Sequence, residues 1–241
     1  MLQNIKNFYG KSLGASDGEI GHVKDFYFDD DSWAVRYVVA DTGTWLAGRL
    51  VLLSPHAFSR FDQGAARVHA NLTRRQIEKG PPIGSHLPVS RQYEEEYYSY
   101  YGLPEYWQGG QMWGMGGFPV VVPPAAKVEA KNRAREKAGE AHLRSARAVT
   151  GYHIQTVDGA IGDVSDFMLD SESWAIRDLV VEAGHWFSGK EILIPTGKVE
   201  RISYEDSTVF VSLTKADIER TGENEVVQAG GMVSGAADFF D

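Results

Sequence analysis

The 241 residues contain no cysteine, which excludes disulfides, thiolate metal sites and cysteine nucleophiles. Positive charge is in short supply. Lys and Arg number 24 against 33 Asp and Glu, and the net charge is −9. Non-specific grip on nucleic acid needs clustered cations, so a nucleic-acid partner is disfavoured. Apolar runs are short as well. The longest, "GGFPVVVPPAA", holds three prolines and falls well below the roughly 20 residues of a membrane helix. The opening "MLQNIKNFYG" has no apolar h-region of a signal peptide. There is no G-x-S-x-G, no Walker loop and no dinucleotide fingerprint. The seven histidines are scattered, without the i, i+4 pair of helical zinc sites. Hence no catalytic, cofactor-binding or metal-ligating residue is assigned, no cofactor is expected, and the expected location is cytoplasmic.

What the chain does have is a repeat. "DGEIGHVKDFYFDDDSWAVRYVV" begins at Asp17, and "DGAIGDVSDFMLDSESWAIRDLV" begins at Asp158, 141 residues later. The offset pairs Gly10 with Gly151, Trp33 with Trp174, Arg36 with Arg177, Trp45 with Trp186 and Glu78 with Glu219, without a gap. Roughly a third of the paired residues from Gly10 to Lys79 are identical. A unit this long exceeds a solenoid repeat of roughly 20–50 residues and reads as a small domain with its own core.

Each copy reads as short strands cut by turns. Asp17-Gly18 and Asp158-Gly159 are hairpin dipeptides. "WAVRYVVA" and "WAIRDLVVE" carry the β-branched and aromatic residues that suit a pleated, half-buried surface. Short strands at turn-marked intervals indicate a small barrel or sandwich. Apolar alternation slips between Ile20 and Phe26, with Gly21 (Gly162 in the second copy) marking a bulge or bend. Thr73 and Thr214 are placed to cap a short closing helix.

The order DG-x-IG-x-V-x-DF, D-x-x-[ST]-W-A-[VI]-R, G-x-W-x-x-G-[RK] resembles the PRC-barrel family, named for the cytoplasmic domain of the reaction-centre H subunit. The resemblance covers 9–79 and 150–220. It implies a mainly all-β protein of two tandem small antiparallel barrels, related by internal duplication and joined by an aromatic-rich segment and a short helix. The expected boundaries are 1–80 for the first barrel, 81–124 for the connecting segment and 125–147 for a helical connector. They continue with 148–221 for the second barrel and 222–241 for a tail. Known uses of the family imply docking: a non-enzymatic protein-binding or scaffold role, with an unknown protein partner, a membrane complex or a homo-oligomer. Two alternatives carry over from the resemblance. One is an H-subunit-like role in quinone, proton or electron transfer at a membrane protein's cytoplasmic face, peripheral to the inner membrane. The other is a ribosome- or RNA-associated role.

Between the copies, "YEEEYYSYYGLPEYWQGGQMWGMGGFP" packs nine aromatic residues among acids and glycines. Tyr93, Tyr97, Tyr100 and Tyr101 share a face of a short helix. These rings either fill grooves of the barrels or form a docking patch. On the docking reading Tyr106, Trp107 and Trp113 stay partly exposed and contact a partner. Trp45 and Trp186, in glycine-flanked loops, are further contact candidates or plugs of a barrel mouth. "PPAAKVEAKNRAREKAGEAHLRSARAV" reads as a proline-opened helix with a small-residue stripe from Ala130 to Ser145. Asp29, Asp30 and Asp31 read as a solvated turn, with cation binding as the lesser alternative.

Overall fold

The computed structural model describes residues 1–58, 67–83, 89, 91–107, 113, 143–184 and 191–220. The helical connector up to residue 142, the tail and Trp186 lie outside the described residues. The chain divides into two compact units: Met1–Val149 with Asp166–Arg177, and Thr150–Ser165 with Asp178–Asp241. The first unit thus holds the first copy together with one hairpin end of the second.

Both copies build the same sheet. In the first, β2 (Ser12–Ala15), β3 (Gly18–Asp29), β4 (Val35–Asp41), β5 (Leu50–Leu53) and β6 (Arg67–His69) run in the order β5-β4-β3-β2-β6. In the second, β8 (His153–Thr156), β9 (Gly159–Asp170), β10 (Ala175–Ala183), β11 (Glu191–Pro195), β12 (Val199–Ser203) and β13 (Thr208–Val211) run β11-β10-β9-β8-β13-β12. Registers match at the 141-residue offset. Ser12 pairs with Arg67 as His153 pairs with Thr208, in parallel; Leu13 pairs with Gly21 as Ile154 pairs with Gly162. Phe58 bridges Ala70 as Val199 pairs with Val211, which brings the chain after β5 or β11 back to the far edge strand. This closure is what lets so small a sheet protect its edges.

The slip in β3 has two physical sources. Opposite β2 the register shifts between Leu13 and Gly14, so Ile20 is an extra residue beside Gly21. Opposite β4 it shifts again between Val23 and Asp25. These bulges turn Ile20, Val23, Phe26 and Phe28 all inward, each buried. Gly21 is required by a close approach as much as by the bulge. A Cβ there would stand 1.9 Å from the Asp41 carbonyl oxygen, and one on Gly162 would stand 2.1 Å from that of Glu182. Gly21 also has φ +136°, a conformation L side chains rarely adopt.

The closing helices form as the sequence indicates. Helix α1 (Arg74–Lys79) begins with Thr73, whose hydroxyl accepts from the Gln76 N–H in a capping box. Thr214 makes the same bond with the Asp217 N–H at 3.2 Å. The hairpin acid then ties turn to helix. Asp17 accepts from the Arg74 N–H at 2.7 Å, and Asp158 from the Lys215 N–H at 2.9 Å.

Two short strands were not foreseen. β1 (Leu2–Asn4) pairs antiparallel with the end of β9, and β7 (Leu143–Ser145) with the end of β3. Residues 143–145, including Ser145 of the expected helical stripe, are therefore strand. Backbone pairing to β3 settles their conformation where a three-residue segment has no periodicity of its own to do so.

Candidate functional site

Helix α2 (Arg91–Tyr101) carries the aromatic segment onto β4 and β5. The Tyr97 hydroxyl accepts from the Ser54 N–H at 2.9 Å and donates to the Leu52 carbonyl at 3.2 Å. One phenol thereby satisfies both backbone groups at the end of an edge strand. Tyr97 and Tyr98 are buried and meet Tyr37 edge-on, with centroids at 5.2 and 6.4 Å. Of the expected helical face, Tyr97 is buried, Tyr93 and Tyr101 are half-buried, and Tyr100 is exposed.

Beneath the helix sits a buried polar cluster. Glu94 is fully buried and accepts from the Tyr106 hydroxyl at 2.6 Å and the Tyr37 hydroxyl at 3.3 Å. The Arg36 guanidinium lies 3.7 Å from the centroid of the Tyr106 ring and 4.8 Å from that of Trp113. It also donates to the Ser32 hydroxyl at 3.0 Å and approaches Asp29 at 3.9 Å. Trp113 in turn donates its indole N–H to the Ser173 carbonyl at 3.0 Å. Burial raises the pKa of Tyr37 and Tyr97 well above the ordinary phenol range, with Glu94 adding to the effect at Tyr37. The Tyr101 phenol is pushed up to about 12, mainly by burial. Burial, then the Arg36 charge, lowers the His56 pKa. These phenols stay protonated at neutral pH and act as donors, so the cluster is a packed network rather than a set of nucleophiles.

Among the candidate contacts, Tyr106 and Trp113 are buried, 4% and 2% exposed. The expectation that they stay partly exposed is corrected. Tyr106 bonds the buried Glu94 carboxylate, and the Tyr106 and Trp113 rings cover the buried Arg36 guanidinium, adding to the partners that Tyr37, Ser32 and Asp29 already give the two charges. Trp107 is half-buried against Tyr98 and Tyr106, at 5.1 and 4.9 Å. Trp45 is half-buried with the Arg74 guanidinium 4.6 Å over its ring. The structure therefore groups Trp107 with Tyr106 and leaves Trp45 apart, beside α1. The Asp turn is not solvated as expected, because Asp29 and Ser32 are buried, 3% and 8% exposed. Asp29 accepts from the N–H groups of Asp31 and Ser32, and Asp30 binds Arg144 at 2.6 Å. These hydrogen bonds and the Arg144 ion pair account for Asp29 and Asp30 in the turn.

A second constellation was missed by sequence reasoning: a reciprocal seam inside the first unit. β3 pairs Tyr27, Phe28 and Asp29 with Ser145, Arg144 and Leu143. β9 pairs Met168, Leu169 and Asp170 with Asn4, Gln3 and Leu2. Every pair in one set is the other set moved by 141. Asp25 accepts from the Arg147 N–H, and Asp166 from the Lys6 N–H, each at 3.0 Å. Both carboxyl pKa values are raised by burial, against the hydrogen bonds that lower them. Ala34 bridges Ala175, flanked by Val35 N–H to Trp174 carbonyl and Ile176 N–H to Trp33 carbonyl bonds, both 2.8 Å. Trp33 and Trp174 each have φ +57°, a strained value for a bulky residue. The strain is held by their own packing. Trp33 stacks on Phe28 at 5.3 Å, Phe28 meets Phe167 at 5.6 Å, and Trp174 meets Phe58 at 5.6 Å. The available signal was Leu2 and Leu143 at the same offset as the rest of the repeat.

Two barrel-forming copies with these bulges, caps and matched tryptophans fit the PRC-barrel domain, whose family model matches residues 4–76 and 144–218. The chain belongs to the PRC-barrel family. It is also 41% identical over 70 residues to an uncharacterized protein of Deinococcus radiodurans, a match covering 29% of this chain and 24% of that protein. The chain thus matches less than a quarter of that relative's length. Among the described residues, no helix is long and apolar enough to cross a membrane.

Proposed function

We propose that the chain is a non-enzymatic scaffold, two PRC-barrels that present a fixed surface to a protein partner. One observation carries this reading. Among the described residues, Glu94, Arg36, Tyr37 and Tyr106 form a group of chemistry-bearing side chains that is turned inward and whose members bond and pack on one another. It stiffens the first barrel, and stiffness is what a docking platform needs. The half-buried indoles of Trp45 and Trp107 offer large contact area at its surface. The test is chemical cross-linking in cells that express the chain, then reconstitution of the captured protein from purified components. The expected outcome is a stoichiometric complex that Trp45→Ala with Trp107→Ala weakens at least tenfold, about 1.4 kcal/mol, with the fold intact. Turnover of a small molecule by the purified chain, abolished by Glu94→Gln, would overturn it. A partner at the cytoplasmic face of a membrane complex would fractionate with membranes, and a ribosomal one with particles at moderate salt.

A further inference from the structure

The seam in the first unit has the geometry of a homodimer interface written on one polypeptide. In a two-fold interface, residue i of one subunit meets residue j of the other, and j meets i. Here the two subunits are the two copies. Strand β1, leading the first copy, lies on β9, and β7, leading the second, lies on β3. The clamps are equally reciprocal, Asp25 on Arg147 and Asp166 on Lys6. The Ala34–Ala175 bridge joins positions related by the offset itself.

A self-complementary seam does not distinguish its own chain from another. Trp113 is the last described residue before Leu143. The chain between them has 142 − 113 = 29 residues, with a fully extended reach of about 100 Å. That length permits the second copy to meet either its own first copy or a neighbour's. We propose that a second copy of this chain enters the seam by exchange: the second copy of one chain docks on the first copy of another, and the reverse, giving a closed dimer. Every seam contact is then made twice, as in two closed monomers. The outcome is set by concentration against the tether, whose effective concentration is on the order of millimolar. At micromolar concentration the closed monomer prevails at equilibrium. Chains that refold together at high concentration are trapped as exchanged dimers. The exchanged dimer does not depend on the scaffold reading, since its test involves no foreign partner.

The absence of cysteine makes a clean experiment possible. The hydrogen bonds flank the Ala34–Ala175 pair rather than join it. Such a non-bonded antiparallel pair has Cα atoms about 4.5 Å apart, within disulfide range. Two full-length variants of different tag size are made, Ala34→Cys alone and Ala175→Cys alone. They are unfolded together, refolded at rising concentration and mildly oxidised. A disulfide between the two variants then reports the first copy of one chain against the second copy of another. The expected result is a mixed-size covalent dimer well above the like-with-like products, its ratio to monomer rising about tenfold per tenfold rise in refolding concentration. Both alanines are buried, 0% and 2% exposed, so closed monomers shield the thiols. No excess of the mixed dimer at any concentration would overturn the proposal. Should either thiol impair folding, the unmodified chain refolded over the same range and sized by light scattering decides. A concentration-dependent dimer that reverts to monomer only on unfolding supports exchange, and monomer throughout overturns it.

Discussion

Arg36 and Arg177 occupy the same place in the two copies, yet one is core and the other is rim. The Arg36 side chain is 3% exposed under Tyr106 and Trp113; that of Arg177 is 33% exposed and held by Asp170 at 3.4 Å. Their neighbours diverge the same way. Tyr37, fully buried beneath α2, corresponds to half-buried Asp178. Ser54 and Leu52, bonded by Tyr97, correspond to exposed Pro195 and half-buried Leu193. The residues that shape the strands did not diverge: Gly21 with Gly162, Trp33 with Trp174, Asp25 with Asp166. Duplication kept what the backbone needs and rewrote the face that the aromatic segment covers. Each of these differences can be broken or sharpened by substitution.

The largest effect falls on the shared frame. Gly21→Ala forces a Cβ onto the Asp41 carbonyl at a positive φ; Gly162→Ala forces one onto the Glu182 carbonyl without that added strain. Thermal unfolding should show both variants strongly destabilised, by about 3–5 kcal/mol, with Gly21→Ala the worse. Equal, small losses would mean the strands separate easily. The next effect splits the copies. Arg36→Met strips Asp29 of its buried counter-charge and should cost about 3 kcal/mol. Arg177→Met removes a partly exposed pair and should cost under about 1 kcal/mol. Denaturant midpoints for the two variants decide.

Acid titration separates the carboxylates. Burial raises Asp25 and Asp166, so the folded state binds their protons more tightly than the unfolded one. Their stabilising contribution is full below the unfolded value and is lost as pH rises through the raised folded value. Asp25→Asn should therefore gain in melting temperature relative to the parent chain between pH 4 and pH 7. Asp170 behaves oppositely. Burial pushes its pKa up, but the Ser173 hydroxyl and the N-terminal ammonium outweigh this and hold it at about 2. Its contribution is present above the unfolded value and fades as pH falls through about 2. After screening by solvent, Asp170→Asn should cost about 1 kcal/mol at neutral pH and nothing in strong acid. The most symmetrical effect falls on the caps: Thr73→Ala and Thr214→Ala should cost the same, about 1 kcal/mol each.

The frame was legible in the sequence because it is local. Asp-Gly turns, threonine caps and a glycine in a strand act through neighbouring backbone, and a repeated pattern shows them twice. The seam was not legible because "LQN" and "LRS" are too short to show a period, and their partners lie more than 100 residues away. The aromatic segment fell between. Its composition announced contact area but could not say whose. Burial of Tyr106 and Trp113 follows from Arg36 and Glu94, two charges whose depth no sequence spacing reveals.

Hydrogen exchange on the full chain tests the reciprocal seam most directly. The amides of Lys6 and Arg147, bonded to Asp166 and Asp25, and those of Val35 and Ile176, bonded across the Ala34–Ala175 bridge, should exchange as matched pairs. All four should open only with global unfolding. Rapid exchange at Lys6 or Arg147, as in a fraying end, while Val35 and Ile176 stay protected would contradict a reciprocal seam.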